Sequence, residues 1–393
     1  MPPKFAKKLS ASGSKDLALD SPEPTPGPKD KSEKATPLKR PAAEKPKSKG
    51  KKKEEKPEEK EEDKEEPVKE TSSKKRKKKE GPYTCFKEKG SIPEPELPRN
   101  SPSAGGGTLF NVLAWNVGSL RAFLKTRIGD LQEAVKQGAP HVLGFIEHKL
   151  QEGVPETEAA LKDLVQALPD YEVSCVSYST VKKAYSGTMI LLHKDCPKPL
   201  QISAEDLPSA AKEGRLVVAE FEHLYVVLCY VPNSGDGLKR LTERIEQWDV
   251  QLKERLLALA QKKQVVLMGD LNVAHRDQDI WNAEAPHVPK SAGTTAEERE
   301  SFGKLLESGF KDGFCVYHPE ALGAFTYWSV RAGNRKVNRG LRLDYVLVSE
   351  SLVSDKDEDT TGALREVPRL CDAFHLPSVA TGDHCPVGAV FLV

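Results

Sequence analysis

The sequence predicts a disordered, highly charged N-terminal segment, residues 1–107, followed by one α/β domain with mixed sheets, residues 108–393. Three observations predict this organisation. The composition changes near residue 100, from Lys, Glu, Pro and Ser to apolar runs. After that point, apolar runs of strand length alternate with amphipathic helical segments, the pattern of an α/β domain. Several of those runs follow one another directly, which indicates antiparallel as well as parallel pairing.

The predicted elements follow in chain order. The first strand is Leu109–Asn116, and Ser119 is the expected N-cap of a helix over 120–137 that Gly138 and Pro140 end. Further helices are predicted over 156–167, 238–261 and 296–308. The remaining strands are predicted at 141–147, 171–178, 187–193, 215–222, 224–231, 265–271, 324–330, 343–349 and 387–392.

The N-terminal segment is basic and the domain is acidic. Residues 1–100 contain 28 Lys and Arg against 20 Asp and Glu, a net charge of +8; since the whole chain carries +1, residues 101–393 carry −7. The segment has too little apolar surface to offset the entropy of ordering, which is why it is predicted to be disordered. Pro and Gly between residues 81 and 107 indicate the joint to the folded domain.

Two basic clusters in this segment predict nuclear import. Lys39-Arg40 and Lys51-Lys52-Lys53, ten residues apart, have the spacing of a two-part import signal, and Lys74–Lys79 resembles a single-cluster one. The predicted location is the nucleus, and the segment is expected to bind importins or other repair proteins, with weak nonspecific DNA contact. A nucleolar role or a solvated linker of mixed charge is the alternative.

Cysteine usage and hydropathy exclude other classes of protein. The seven cysteines are odd in number and form no Cys-x-x-Cys pair, which argues against a disulfide framework or a zinc site and fits a reducing compartment. No apolar run approaches the length of a membrane span, and the N-terminus lacks the apolar stretch of a secretory signal. A monomer without membrane contact is expected.

Polar side chains recur where predicted strands end, which suggests a shared site. Asp270 and Asn272 close the strand Val265–Leu271, and side chains two apart on a strand share a face. An acid and an amide aimed at one point suit the activation of water against a phosphate. The other polar residues at strand ends are Asn116, Glu147, Asn233, Asp344, Asp383 and His384.

Six short segments resemble motifs of the exonuclease III-type abasic-site endonucleases and occur in that family's order. They are Trp115–Ala122 (WNVGSLRA), Glu147–Lys149 (EHK), Tyr230–Asn233 (YVPN), Gly269–His275 (GDLNVAH), Leu341–Tyr345 (LRLDY) and Gly382–Pro386 (GDHCP). The resemblance covers residues 108–393. It implies a DNase I-like four-layer sandwich, in which two packed mixed sheets are flanked by helices.

The resemblance also implies roles for individual residues. Asp270 would be the general base or would position the attacking water, and Asn272 would donate to the phosphate. His384, oriented by Asp344, would bind or protonate near the phosphate, and Tyr230 and Asn233 would contact it. The cofactor implied is Mg²⁺, with Mn²⁺ as the alternative. The metal ligands implied are Asn116, Glu147, Asp270, Asn272, Asp383 and His384.

Residues beyond the catalytic set are expected to contact the DNA. The family lines a pocket for a base-less sugar where this chain has Phe325, Tyr327, Trp328 and Leu341. A basic loop containing Arg331, Arg335, Lys336 and Arg339 is suited to phosphate contacts. The basic loop also has an ordinary interpretation, as a solvated loop. His275 is interpreted as structural, and His148 is assigned no role.

The sequence departs from the family pattern at three functional positions. Gly118 stands where many relatives have Asp or Asn, which predicts weaker metal binding. Asp236 stands where some relatives have a basic residue, which predicts a weaker grip on DNA or faster product release. Leu341 replaces a large aromatic residue of some relatives.

The function expected is Mg²⁺-dependent cleavage of duplex DNA 5′ to an abasic site in base excision repair, with 3′-end trimming. Two alternatives stay open. The same fold hosts hydrolases of other phosphodiesters, because fold alone does not fix a substrate. The departures at Gly118 and Asp236 would also fit a weakly active or non-catalytic DNA- or chromatin-binding relative.

Overall fold

The computed structural model describes residues 90–100, 107–353 and 368–393. The predicted import clusters and most of the N-terminal segment lie outside these residues. The strands are β1 Leu109–Asn116, β2 Val142–Ile146, β3 Tyr171–Ser177, β4 Thr188–His193, β5 Gln201–Glu205, β6 Leu216–Glu220, β7 Leu224–Tyr230, β8 Gln264–Asp270, β9 Phe310–Asp312, β10 Asp344–Ser349, β11 Arg369–His375 and β12 Val387–Leu392. The α-helices are α1 Leu120–Thr126, α2 Ile128–Gly138, α3 Pro155–Ala167, α4 Leu241–Glu243, α5 Asp249–Ala260, α6 Ala296–Glu307 and α7 Gly313–Tyr317.

The strands form two six-stranded mixed sheets. One has the order β11-β12-β1-β2-β4-β3, and the other has the order β5-β6-β7-β8-β10-β9. Each sheet contains one parallel pair near its centre, β1 with β2 and β7 with β8. The strands of these pairs are buried on both faces, which explains why they read as continuous apolar runs rather than as alternating ones.

Three apolar layers hold the sandwich together. Between the sheets, Val112 and Val142 of the first sheet belong to the same buried cluster as Val226 and Val266 of the second. The outer face of the first sheet packs against α1, α2 and α3. The outer face of the second sheet packs against α5 and α6. This arrangement confirms the predicted four-layer sandwich of helices, sheet, sheet and helices.

The observed elements differ from the predicted ones in a few places. The predicted helix 120–137 is interrupted at Arg127, which joins α1 to α2. The predicted strand 324–330 is an irregular segment, in which Tyr327 makes isolated bridges to Leu341 and His384. The sequence interpretation missed β5, β9 and β11, which lie at or next to sheet edges, and such strands lack the long apolar run of a central strand.

Residues 90–100, here called the strap, pack on the domain. The backbone N–H of Ile92 donates to the Val337 carbonyl at 2.9 Å, and the Ile92 side chain is buried. At the other end, Arg99 pairs with Asp372 at 2.5 Å and its guanidinium lies 3.2 Å from the ring centroid of Phe374. The sequence predicts a joint to the domain here, whereas the structure packs these residues on the surface of the domain.

Within the described ranges, no helix is long and apolar enough to cross a membrane.

Candidate active site

The two parallel strand pairs bring the candidate catalytic residues to one edge of the sandwich. Asn116 ends β1 and Glu147 follows β2 in the first sheet, while Tyr230 ends β7 and Asp270 ends β8 in the second. Parallel neighbours carry their C-terminal ends to the same side. The antiparallel strand β10 begins there, with Asp344 directly opposite Asp270.

Asp270 lies at the centre of this edge and is buried. Its Oδ2 accepts a hydrogen bond from Asn116 Nδ2 at 2.9 Å, and its Oδ1 accepts one from the backbone N–H of Asn272 at 2.9 Å. The residue before it must be glycine, because a Cβ on Gly269 would stand 2.0 Å from the Cys229 carbonyl oxygen. The two sheets are therefore joined at Asp270 by a side-chain hydrogen bond from Asn116.

The environment of Asp270 makes it a weak acid that is suited to proton transfer. Burial, followed by the charge of Asp344, raises the pKa of Asp270 to about 7, against the opposing effects of His384, Asn116 and the backbone N–H of Asn272. A general base is most effective when its pKa lies near the working pH. The raised pKa thus occurs at Asp270, the residue that the sequence predicts as the general base.

His384 and Asp344 form a buried pair next to Asp270. His384 Nδ1 lies 2.8 Å from Asp344 Oδ2, and His384 Nε2 lies 4.0 Å from Asp270 Oδ2. Burial lowers the pKa of His384, but the charges of Asp344 and Asp270 outweigh it and raise that pKa to about 10. The imidazole is thus protonated at neutral pH, with Nδ1–H donating to Asp344 and Nε2–H turned toward the Asp270 side.

This charge state bears on the predicted metal role of His384. A protonated imidazole has no lone pair for a metal, and Mg²⁺ prefers oxygen ligands. The contact with Asp344 orients the ring, and the metal role of His384 stays a prediction.

Asn272 and Asn233 hold each other in place. Asn233 Nδ2 donates to Asn272 Oδ1 at 2.9 Å, and Asn272 Nδ2 donates to the Val231 carbonyl at 2.9 Å. The backbone of Asn272 has φ +50°, the left-handed region that Asn tolerates better than most residues. Both amides expected to contact the phosphate lie together here, with Asn272 buried and Asn233 exposed.

Tyr230 stands between the acids and a cationic network. The Arg215 guanidinium lies 4.7 Å from the centroid of the Tyr230 ring, and Arg215 also donates to Glu213 at 2.6 Å and to the Tyr185 hydroxyl at 2.7 Å. Burial, then the charges of Glu147 and Asp270, raises the pKa of Tyr230 well above 10. The phenol therefore stays protonated and can donate a hydrogen bond.

The oxygen atoms of the site fit a hard divalent cation. Glu147 is partly exposed and has φ +59°, a backbone conformation that non-glycine residues adopt uncommonly. Its Oε1 lies 3.0 Å from Lys149 Nζ. Asp270, Asp344 and His384 place potential ligand atoms within 4.8 Å of one another. Carboxylate and amide oxygens of this kind are the ligands that Mg²⁺ uses in proteins.

Only part of the predicted sugar pocket faces the site. The Tyr327 ring lies 4.9 Å from the His384 ring, and Tyr327 and Leu341 line a cavity of about 150 Å³. Phe325 and Trp328, by contrast, are 1% and 2% exposed and pack in the core beside α1 and α2. Their neighbours in the fold cover these two residues, and their part in a sugar pocket stays a prediction.

The basic loop divides into exposed and packed cations. Arg331 and Lys336 are exposed. Arg335, in contrast, stacks on the Trp328 ring at 3.8 Å and donates to the Pro377 carbonyl. Arg339 lies 5.1 Å from the centroid of the Trp281 ring and donates to the Gly90 carbonyl of the strap at 3.2 Å. Arg335 and Arg339 thus fasten the loop, and Arg331 and Lys336 are the cations left for phosphates.

Several residues near the site were not identified from the sequence. Thr326 Oγ1 accepts hydrogen bonds from the backbone N–H groups of Leu343 and Asp344, at 2.9 and 3.0 Å, and so fixes the start of β10. Arg215 and Arg240 both donate to the Tyr185 hydroxyl near Tyr230. A buried threonine or arginine carries no distinctive sequence signal, because its partners lie far away along the chain.

Comparison with known proteins defines the class of this protein. Residues 113–363 match the Endonuclease/Exonuclease/phosphatase family, and the chain belongs to this hydrolytic family. Among curated proteins it is similar to an exodeoxyribonuclease of Bacillus subtilis, 36% identical over 71% of this chain and 98% of that protein. It is also similar to the DNA repair nuclease APEX1 of Danio rerio, 34% identical over 72% of this chain and 82% of that protein.

Solved structures agree with this placement. The crystal structure of an AP endonuclease from Leishmania major matches with a TM-score of 0.63 and 26% identity, covering 81% of this chain and 97% of that chain. The resemblance to exonuclease III-type abasic-site endonucleases is thereby confirmed, as is the enzyme class. The roles of individual residues stay predictions.

Proposed function

We propose that this protein is a nuclear, Mg²⁺-dependent DNA-repair hydrolase that cleaves the phosphodiester 5′ to an abasic site and leaves a 3′-hydroxyl. The observation that carries the proposal is the buried Asp270 between Asn116 and the Asp344–His384 pair. Relatives named as exodeoxyribonucleases and as a DNA repair nuclease support the choice of DNA as the substrate. The basic clusters of the N-terminal segment support nuclear import.

In the proposed mechanism Asp270 takes a proton from water as the water oxygen attacks phosphorus in line with the 3′-oxygen. The bond from phosphorus to the 3′-oxygen breaks, and that oxygen takes a proton from solvent to become the 3′-hydroxyl. The protonated His384 donates from Nε2 to a non-bridging phosphate oxygen as negative charge develops there, and the phenol of Tyr230 donates in the same way. Asn233 and Asn272 orient the phosphate. A bound Mg²⁺, held by Asn116, Glu147, Asp270 and Asp383, would stabilise the developing negative charge.

The test is an incision assay on a labelled duplex with one abasic site. Asp270→Asn keeps the size of the side chain and removes the base, and it should lower kcat by about 10²–10⁴-fold, the usual contribution of a general base, while duplex binding persists. Asp195→Ala, an exposed acid on the turn after β4, serves as the control and should cut like the parent. A parent chain that does not cut would contradict the proposal.

The non-catalytic alternative is favoured by Gly118, which lacks the side-chain oxygen expected there, and by Asp236, which puts an acid where a basic residue is expected. The same assay separates the two functions. A binding protein would retain duplex affinity and show no Mg²⁺-dependent incision, with or without Asp270.

A further inference from the structure

A buried arginine binds the backbone of the turn that follows Asp270. Arg244 Nη1 donates to the Asn272 carbonyl at 2.7 Å, and Arg244 Nη2 donates to the Leu271 carbonyl at 2.8 Å. One rigid guanidinium thus binds two successive carbonyls of the turn. The residue is 2% exposed and does not belong to any of the six motifs.

A buried glutamate fixes this arginine in turn. Glu298 Oε1 lies 3.0 Å from Arg244 Nη1, and its other oxygen accepts from Gly293 N at 2.7 Å and from Thr295 Oγ1 at 2.9 Å. The Ser234 hydroxyl also donates to Glu298. With its oxygens engaged, the carboxylate has one orientation, and the arginine that it neutralises has one as well.

The network reaches both polar loops of the site. Ser234 follows Asn233, the amide that donates to Asn272, so the loop after β7 and the turn after β8 share one anchor. Asn272 depends on such support because its left-handed backbone, φ +50°, is a sparsely populated conformation. The contacts of Arg244 are to the backbone of that same residue.

A local irregularity of the helix places the arginine. Arg244–Trp248 is a π-helical turn between α4 and α5, and both end residues are buried. Such turns accommodate one extra residue and recur at functional sites. Stability alone does not account for the pair, since a buried ion pair is often no more stabilising than apolar residues of the same volume.

We propose that Arg244 and Glu298 are a positioning pair that holds Asn272 and Asn233 in the geometry needed for cleavage. This rests on the proposed phosphodiesterase function. The variants are Arg244→Met, Arg244→Lys and Glu298→Gln. The control is Leu256→Ala in α5, which removes buried packing on the same helix but no hydrogen bond to the turn.

The primary readout is incision kinetics on the abasic duplex, at a temperature where circular dichroism shows each variant folded. Arg244→Met should lower kcat by about 10–100-fold, the cost of a misplaced catalytic group, while KM changes less than about threefold. Arg244→Lys, which cannot bind both carbonyls in the same plane, should fall between Arg244→Met and the parent. Leu256→Ala should lower the melting temperature and leave kcat unchanged. If Arg244→Met does not fold, Glu298→Gln is the variant that decides.

A second readout does not depend on the substrate. The side-chain amide signal of Asn272 in ¹⁵N-labelled protein, assigned by its loss in Asn272→Ser, should move in Arg244→Met and Glu298→Gln but not in Leu256→Ala. Full kcat in the Arg244 and Glu298 variants would overturn the inference while the parent still cuts. If the parent fails to cut, the proposed function falls, and an unmoved Asn272 signal would then overturn the positioning role as well.

Discussion

At the level of single residues, the site brings together carboxylates that repel each other and a histidine whose protonated form they stabilise. Asp344 raises the pKa of both of its neighbours, since its negative charge disfavours ionised Asp270 and favours protonated His384. The same carboxylate thereby prepares one residue to accept a proton and the other to donate a hydrogen bond.

Gly118 gives a direct test of the metal site. Its φ of +63° suits glycine, and a Cβ added there would lie 4.0 Å from Asp383 Oδ1, so Gly118→Asp adds a carboxylate beside an expected ligand. We predict that half-maximal incision then needs about 3–10-fold less Mg²⁺, since an added carboxylate ligand strengthens cation binding. Gly118→Ala is the control, because it imposes the same backbone strain without the oxygen. An unchanged Mg²⁺ titration in Gly118→Asp would contradict the prediction.

The buried His148 leads us to predict that the folded protein loses stability in acid. The ring accepts from Leu150 N at 3.0 Å and lies 3.1 Å from the Ser177 carbonyl, and burial lowers its pKa to about 4. In the unfolded chain the pKa of His148 is about 6.5, so in acid the unfolded state binds a proton that the folded state does not. The contribution of the neutral, buried His148 ring to stability is therefore intact above pH 6.5 and is lost as pH falls toward 4.

The measurement is urea unfolding of the protein at pH 7.5 and pH 5. The free energy of unfolding should fall by about 1–2 kcal/mol from this residue, at about 1.4 kcal/mol per pH unit in that window. His148→Gln should unfold with a smaller difference between the two pH values. An equal difference in both proteins would assign the acid sensitivity to other groups.

At the level of elements, the loop over residues 329–339 carries exposed cations, while other cations of the same loop pack against the domain. Arg335 and Arg339 are held by aromatic rings and backbone carbonyls, whereas Arg331 and Lys336 are exposed. On the proposed function, a loop fastened in this way loses less entropy when it binds DNA. Because the domain as a whole is acidic, a local cluster of this kind has more influence on where DNA approaches.

Removing the two exposed cations should weaken DNA binding in a salt-dependent way. Arg331→Gln with Lys336→Gln should reduce the slope of log Kd against log salt by about 2, since each phosphate contact contributes about 0.9. Lys162→Gln with Lys198→Gln, two exposed lysines on α3 and before β5, is the matched control. Equal effects of the two double variants would indicate a general charge effect instead of a contact.

The strands and helices themselves were largely predictable. Leu109–Asn116 and Val387–Leu392 agree closely with prediction because their apolar runs are bounded by polar and turn residues. The broken helix at Arg127 and the π-helical turn at Arg244–Trp248 were not predictable. Neither segment contains a proline that would mark the break in sequence, and the irregular geometry depends on what the side chains pack against.

At the level of the whole molecule, the strap packs on the loop over residues 329–339. Ile92 N donates to Val337 O, Asn338 Nδ2 lies 3.4 Å from the Pro93 carbonyl, and Arg339 donates to Gly90. The end of the strap is pinned separately by Arg99 on Asp372 and Phe374. The loop and the strap therefore stabilise each other across the surface.

Two truncations test this coupling. Removal of residues 1–89 leaves the strap and should leave the melting temperature unchanged. Removal of residues 1–100 exposes the partners of Ile92 and Arg99, and it should lower the melting temperature by about 3–8 °C and weaken duplex binding by releasing the loop. Thermal melts and duplex titrations measure both effects. Identical behaviour of the two truncated proteins would show that the strap does not support the loop.

The sequence alone determined the fold class and the residues that meet at its edge. Apolar runs of strand length are local properties, and polar residues such as Glu147, Asp270 and His384 mark the ends of those runs, so both can be read without knowing the neighbours. Only the tertiary structure shows which residues outside the motifs support the site. Arg244 beneath the turn, the strap on the loop, and the burial of Phe325 and Trp328 depend on contacts between distant parts of the chain, and no local pattern specifies such partners.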